Sequence, residues 1–208
     1  MSDPAPERVT KLLAGLREGD YAAAHDLFEH VYTELRRRAR GQRKRWKGNP
    51  SLPTTALAHE AYLDLVGPEE RSWENRSHFF AVAATAMRHI LMKEARQKRA
   101  QKRGGEAPTL SLEALRDDLG REVATEEERA EALVALDDAL GELETERPRA
   151  ARVVECRFFG GMTIEETAEA LGVSDSTVSR DWKVAQTRLY QTMKRILEGE
   201  SPDDEPEF

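Results

Sequence analysis

The segment that most constrains the fold is residues 162–197, which have the pattern of two helices separated by a tight turn. Thr163 and Ser174 are of the type that caps helix N-termini, because a hydroxyl oxygen can accept the backbone N–H groups left unpaired there. Gly172 suits the left-handed position that ends a helix, and Ala168 is small enough for two helices to cross closely. The pattern therefore predicts a helix-turn-helix, whose second helix enters the major groove of DNA.

The second of these helices separates apolar residues from hydrogen-bonding ones. Apolar side chains recur at helical spacing from Val178 to Ile196, with Trp182 among them, and predict a face turned toward a core. The other face carries hydroxyl and basic side chains that can bond phosphates or base edges. The alternative is an amphipathic core helix with a solvated charged face, but that would not need the caps, the turn and the small residue together. The residues predicted to contact DNA are Ser176, Thr177, Arg180 and Lys183.

Composition favours an all-α protein. Of the 208 residues, 34% are charged and 6% are aromatic, which is typical of helices with modest cores. No run of about 18 apolar residues occurs, and the N-terminus has neither the basic start nor the apolar stretch of a secretory signal. The single cysteine, Cys156, excludes an internal disulfide and a cysteine-built zinc site, and it predicts a small buried group. The expected location is the cytoplasm.

The net charge of −7 is unevenly distributed. Residues 1–103 contain 20 Lys and Arg against 13 Asp and Glu, whereas residues 104–208 contain 12 against 26. The predicted recognition helix, residues 174–197, nevertheless has 5 basic and 2 acidic residues. Positive charge is therefore gathered on particular elements, and the acidic remainder would repel nucleic acid from other surfaces.

Hydrophobic periodicity divides the chain into two small helical domains. Residues 7–103 predict a domain of four helices, the last capped by Ser77 and basic at its C-terminal end. Residues 104–125 mix Gly, Pro and charge and predict a flexible linker. Residues 126–197 predict a smaller domain that ends in the helix-turn-helix, and residues 198–208 predict an acidic, disordered tail. The expected fold class is all-α, with two helical bundles joined by the linker.

Three stretches in this order resemble the ECF (extracytoplasmic-function) sigma factors of bacteria. Residues 54–66, TTALAHEAYLDLV, resemble region 2.2, the helix that docks on the clamp coiled coil of RNA polymerase. Residues 77–90, SHFFAVAATAMRHI, resemble the helix of regions 2.3 and 2.4, which handles the promoter −10 element. Residues 152–168 are similar to region 4.2, which reads the −35 element. The order of the two domains is a far more specific signal than a helix-turn-helix alone.

The resemblance implies a factor that binds core RNA polymerase, directs it to promoter DNA and helps to melt that DNA. It implies no catalytic residue, cofactor or metal, and it allows an anti-sigma factor as a further partner. Cations would hold the DNA backbone, and exposed rings would stack on unpaired bases. The implied polymerase contacts are His59, Glu60, Leu63 and Asp64, and the implied −10 and melting residues are Trp73, Arg76, His78, Arg88, His89 and Arg96. His89 stands where the family commonly has Asn.

Two other functions stay open on the sequence alone. A helix-turn-helix regulator that binds duplex DNA without polymerase would leave residues 54–103 unexplained. An interaction protein whose basic helices bind an acidic partner would support no sequence-specific transcription. Catalysis has almost no support, because His59 and Glu60 begin a zinc-protease pattern in which Leu63 replaces the second histidine.

The charge distribution also predicts that the free chain binds duplex promoter DNA weakly. The acidic residues 104–146 and the acidic tail oppose the basic recognition helix. The linker would allow the two domains to pack together, and we expect this packing to hide both DNA-binding faces.

Overall fold

The computed structural model describes residues 9, 11–12, 15, 21–45, 53–65, 74–101 and 126–198. These residues contain no strand, which confirms the all-α fold class, and none of their helices is long and apolar enough to cross a membrane. A π-helical turn, Glu155–Phe159, directly continues the fifth helix. Within the described stretches 21–45, 53–65, 74–101 and 126–198, the α-helices are α1 (Tyr21–Arg45), α2 (Thr54–Leu65), α3 (Arg76–Gln101), α4 (Glu126–Glu146), α5 (Pro148–Val154), α6 (Ile164–Leu171) and α7 (Asp175–Glu198).

Helices α1, α2 and α3 form an N-terminal bundle because each has an apolar stripe that another covers. Leu27 and Leu35 of α1 and Leu57 of α2 are almost completely buried. Phe79 and Phe80 of α3 are buried as well, with their rings edge to face and 5.4 Å apart. Both rings therefore belong to the core of the bundle.

The N-terminus of α3 differs from the prediction. Oδ1 of Asn75 accepts the backbone N–H of His78 at 2.8 Å, so Asn75 is the N-cap. The prediction that Ser77 caps this helix was wrong, because asparagine is an equally good cap and stands two residues earlier. The Ser77 hydroxyl instead donates to the carboxylate of Glu169, in α6, at 2.7 Å.

The helix-turn-helix is formed by the residues that the sequence predicts. Oγ1 of Thr163 accepts the N–H of Glu166 at 3.1 Å, and the Glu166 carboxylate accepts the N–H of Thr163 at 3.0 Å, which together make a capping box. Gly172 ends α6 with a φ of 63°, a value that favours glycine. Oγ of Ser174 accepts the N–H of Thr177 at 3.3 Å at the start of α7.

Close packing holds the two helices of this motif together. Ala168 of α6, Val178 of α7 and Val153 of α5 form a small buried cluster. Farther along α7, Ala185 and Leu189 are buried in the main core. The predicted division of α7 into an apolar and a polar face is therefore confirmed.

The N-terminal bundle and the C-terminal half share one continuous hydrophobic core. Helix α3 contacts α4, the π-helical turn and α6. At Gly160 the approach is so close that an added Cβ would lie 2.8 Å from the Cβ of Ala84. The two halves are thus packed together, as the sequence led us to expect. Trp73, residues 104–125 and residues 199–208 lie outside the described residues, so the linker and the tail stay predictions.

Candidate polymerase and nucleic-acid surfaces

The polar face of α7 is open to solvent at its N-terminal end. Ser176, Arg180 and Lys183 are exposed, and Thr177 is half-buried. The Oγ of Ser174 lies 3.0 Å from that of Ser176 and 2.9 Å from Oγ1 of Thr177, so three hydroxyls form one hydrogen-bonded group. The expectation that domain packing hides this face was wrong, because the N-terminal bundle contacts α4, the π-helical turn and α6 instead.

Two arginines that were not predicted from the sequence contact side chains of α7. The guanidinium of Arg157 lies 5.2 Å from the ring centroid of Trp182, which is half-buried. Nε of Arg149 donates to Asp181 at 2.6 Å, so the carboxylate beside Arg180 is electrically compensated. This hydrogen bond, with the carboxylate's charge, also raises the pKa of Arg149 above its usual range. Because Arg149 and Asp181 are 32 residues apart, no local sequence pattern could have predicted the pair.

The exposed face of α2 carries the four residues predicted to contact polymerase. The opposite face, from Leu57 to Leu65, is buried in the bundle. Leu63 is 53% exposed and is the only large hydrophobic residue that is exposed in the part of the chain the structure describes. An apolar side chain among polar ones on a rigid helix is typical of a protein contact. The predicted residues that share this face are His59, Glu60, Leu63 and Asp64.

The residues predicted to contact the −10 element lie in different surroundings. Arg76, Arg88 and Arg96 of α3 all contact carboxylates of the C-terminal half. Nδ1 of His78 accepts the backbone N–H of Glu74 at 3.3 Å, which keeps this side chain near the start of α3. His89 is exposed. The three arginines therefore all face the C-terminal half, where they belong to two separate ionic clusters.

The first ionic cluster joins α1 and α3 to α6. The side chains of Arg38 and Arg76 are only 4% and 11% exposed, and Glu34 lies between them and pairs with both. Oε1 of Glu166 lies 2.9 Å from Nη2 of Arg38 and 3.4 Å from Nη1 of Arg76. Both guanidiniums also stack on the ring of Phe80, at 4.5 and 5.0 Å from its centroid.

The second ionic cluster joins α3 to α4 and the π-helical turn. Arg88 donates to Asp137 through Nε at 3.0 Å and Nη2 at 2.7 Å, and to Glu155 through Nη1 at 2.8 Å. Burial alone would lower the pKa of Arg88, but its bonds to the two carboxylates raise it above the usual range. Arg96 donates to the second oxygen of Asp137 at 2.7 Å, and Arg152 donates to Glu155 at 2.8 Å.

A groove of about 510 Å³ lies beside this second cluster. It combines the apolar wall of Met92 with the cationic side chains of Lys93 and Arg96. An apolar wall next to cations is the combination that an unpaired base and its phosphate require. The lining residues are His89, Met92, Lys93, Arg96, Gln97, Ala100 and Asp137.

Arg38 was not singled out by the sequence analysis. It belongs to a basic stretch in which Arg36, Arg37 and Arg40 are exposed, whereas Arg38 is buried. Its Nη1 donates to the backbone carbonyl of Gly160 at 2.8 Å, across 122 residues of sequence. The only available signal was its helical spacing from Leu35, which places it next to the apolar stripe.

The single thiol of the chain lies in the core and not on these surfaces. Cys156 is buried, as predicted, and burial raises the pKa of its thiol to about 12, so the thiolate is scarce at neutral pH. Among the described residues, no group of three His, Cys, Asp or Glu side chains is placed to hold a metal ion.

The contribution of Glu166 to stability is expected to depend on pH. Burial alone would raise the pKa of Glu166, but the charge of Arg38 and the N–H of Thr163 lower it below the usual value. A carboxyl group whose pKa is lower in the folded chain stabilises the fold at pH values above its unfolded pKa of about 4.3. This stabilisation is lost as the pH falls through the lowered pKa. We therefore expect wild type to exceed Glu166→Gln in free energy of unfolding by a constant amount above about pH 5, and by less in more acid solution.

This pH dependence is measured by urea unfolding of both proteins across the acid range. Glu144→Gln is the control for the removal of one carboxylate, because Glu144 is exposed and its replacement should leave the free energy of unfolding close to that of wild type. A difference between wild type and Glu166→Gln that stays the same in acid would contradict the assignment.

The sequence of the chain matches a known protein family. The family model described as ECF sigma factor matches residues 6–195, which is nearly the whole chain. Neither the comparison with curated proteins nor the comparison with solved structures gave a match.

Proposed function

The chain belongs to the ECF sigma factor family, and we propose that three of its surfaces divide the work of an RNA polymerase sigma factor. The exposed face of α2 binds core polymerase, the polar face of α7 reads the −35 element, and α3 handles the −10 element during melting. The observation that carries this division is the exposure of Leu63 on α2 together with Arg180 on α7, on two separate helices of one chain. A regulator that acts without polymerase would have no use for the α2 face.

The reading of the −35 element depends on the N-terminal half of α7. Ser176 and Thr177 lie in its first turn, which enters the groove most deeply, and Arg180 is exposed one turn later. A guanidinium can form two hydrogen bonds with one guanine, a contact worth about 1–3 kcal/mol of discrimination. The Arg149–Asp181 pair keeps the acidic side chain next to Arg180 from repelling the DNA backbone.

Arg180→Ala and Trp182→Ala are expected to fail in different ways. Arg180 is exposed, so its loss should reduce transcription and relax preference at one −35 base pair, with an unchanged melting temperature. Trp182 packs against the core and under Arg157, so its loss should destabilise the C-terminal half. We expect less than the roughly 3–5 kcal/mol of a fully buried ring, because Trp182 is half-buried.

Thermal unfolding and transcription from promoter variants measure the two effects. If Arg180→Ala lowered the melting temperature while base preference stayed the same, the faces of α7 would be assigned the wrong way round. Gln186→Ala, an exposed position farther along α7, is the control for a change of side chain without either effect.

A binding experiment with core RNA polymerase tests the proposed function as a whole. The wild-type chain should bind core polymerase and co-elute with it from a sizing column. The complex should select promoter fragments that the free chain does not select. Tight sequence-specific binding by the free chain, with no affinity for polymerase, would support a polymerase-independent regulator instead.

A further inference from the structure

The guanidinium of Arg149 is bonded to α7 along one edge and has a second edge facing away from it. Arg149 is the second residue of α5, and its Nε donates to Oδ2 of Asp181 at 2.6 Å, while its Nη2 lies 3.4 Å from Oδ1. Because a guanidinium is planar and has N–H groups on both edges, the Nη1 end of this one is directed away from the carboxylate. Among the residues that the structure describes, Nη1 has no hydrogen-bond acceptor.

The carboxylate that holds Arg149 lies on one flank of α7. Successive residues of an α-helix are about 100° apart, so Asp181 is turned by about 100° from Arg180 but by only about 40° from Thr177. The buried Val178 lies farther around, toward the core. The side chain of Asp181 is 13% exposed, whereas that of Arg149 is 53% exposed. The guanidinium therefore reaches solvent beside the polar face of α7, at the border between this face and the core.

The flanks of a helix in the major groove lie next to the phosphates. An α-helix with its side chains is about 10–12 Å in diameter, and the major groove is about 12 Å wide. The face that enters the groove therefore meets the base edges, while the two sides of the helix meet the sugar-phosphate walls. The exposed Arg188 lies seven residues after Asp181 and about 20° from it around the helix, so the same flank carries a second cation.

We propose that Arg149 binds a phosphate on the wall of the −35 major groove, and that Asp181 holds its guanidinium in the direction of that phosphate. The proposal rests on the proposed role of α7, and it extends the DNA-binding surface from α7 to the start of α5. Hydrogen bonds from a guanidinium to phosphate are charge-assisted, and the free N–H groups of Arg149 can form them while the bond to Asp181 stays in place. Because the carboxylate already orders this side chain, less rotamer freedom is lost when the phosphate binds.

Removal of both charges distinguishes a phosphate contact from simple neutralisation of Asp181. If Arg149 only neutralised Asp181, the Arg149→Gln, Asp181→Asn variant would bind DNA like wild type. If Arg149 binds a phosphate, this variant has lost one contact although its net charge is unchanged. The matched control is Lys194→Gln with Glu198→Gln, which removes another exposed ion pair of α7. That pair begins about 20 Å farther along the helix.

The measurement is the salt dependence of DNA affinity for the full chain without polymerase, which is possible because the polar face of α7 is open to solvent. Fluorescence anisotropy gives the affinity for short labelled duplexes, and each phosphate contact contributes about 0.9 to the slope of log affinity against log salt. We expect the variant to bind more weakly at low salt and to have a slope smaller by about 0.9. Wild type should then lose roughly 3- to 4-fold more affinity than the variant between about 50 and 200 mM salt.

Two further comparisons accompany this measurement. The loss should be equal on two duplexes of unrelated sequence, because a phosphate contact carries no sequence information. The control variant should have the slope of wild type. A variant with the slope and affinity of wild type would overturn the proposal and show that Arg149 only neutralises Asp181. A control whose slope falls as far as that of the variant would overturn it as well.

Thermal unfolding checks that the variant is folded, and we expect a melting temperature close to that of wild type, because exposed ion pairs contribute little to stability. If the variant did not fold, the side-chain Nε–H resonance of Arg149 in wild type would give the answer. This resonance is assigned by its absence from the spectrum of Arg149→Lys. It should shift when duplex DNA is added, and an unchanged resonance at saturating DNA would contradict the proposal.

These outcomes are separate from those that test the sigma-factor role. A chain that never binds core polymerase, but whose Arg149→Gln, Asp181→Asn variant has the smaller slope, would overturn the proposed function and leave the phosphate contact intact. A chain that initiates transcription with core polymerase, while this variant keeps the slope of wild type, would do the reverse.

Discussion

Leu63→Arg together with Asp64→Arg is expected to abolish binding to core RNA polymerase while the helical circular dichroism spectrum stays that of wild type. Leu63 is 53% exposed, so a contact with a partner can bury its side chain, and an arginine there would place a charge in that contact. Asp64→Arg reverses the charge of the neighbouring side chain on the same face. The buried stripe from Leu57 to Leu65 is untouched, so α2 should remain folded.

A matched control distinguishes an effect of the α2 surface from an effect of the net charge. Glu144→Arg with Thr145→Arg makes the same change in net charge at exposed positions of α4, and this variant should bind core polymerase like wild type. Affinity is measured by titrating labelled chain with core enzyme. Wild-type affinity in the Leu63→Arg, Asp64→Arg variant would show that polymerase docks elsewhere.

Phe159→Ala is expected to lower the free energy of unfolding by about 3–5 kcal/mol, the usual cost of removing a fully buried phenylalanine. Phe159 is 0% exposed and lies in the π-helical turn, which packs on α3. Because the two halves share one core, the cavity should destabilise both of them. We therefore expect a single unfolding transition that moves as a unit, not one half melting before the other.

Phe158→Ala provides the control, because Phe158 is the neighbouring ring but is only half-buried. This substitution should lower the free energy of unfolding clearly less than Phe159→Ala does. Urea unfolding followed by circular dichroism and by tryptophan fluorescence would measure both variants. Two separate transitions in wild type, of which only one responds to Phe159→Ala, would show that the halves unfold independently.

The parts of the structure that the sequence predicted are those that local interactions determine. The N-cap Thr163, the left-handed Gly172 and the apolar stripe of α7 each depend on residues within a few positions of one another. The exposed position of Leu63 follows from the same periodicity. Local hydrogen bonds and helical spacing are visible in a sequence, so these features could be predicted.

The parts that were missed depend on residues far apart in the chain or on small local differences. Arg38 reaches Glu166 across 128 residues, and nothing in a basic stretch distinguishes the buried arginine from its exposed neighbours. The π-helical turn replaces the end of a helix whose apolar pattern continues unchanged from residue 148 to residue 159. At the start of α3, Asn75 and Ser77 are both good caps, and the pattern alone does not choose between them.

Reconstituted run-off transcription tests the sigma-factor assignment most directly. Core RNA polymerase is incubated with genomic DNA fragments, with and without this chain, and the transcripts are mapped. The assignment predicts discrete start sites that appear only when the chain is present and that are lost with the Leu63→Arg, Asp64→Arg variant. Transcripts that are the same with and without the chain, on every fragment, would contradict it.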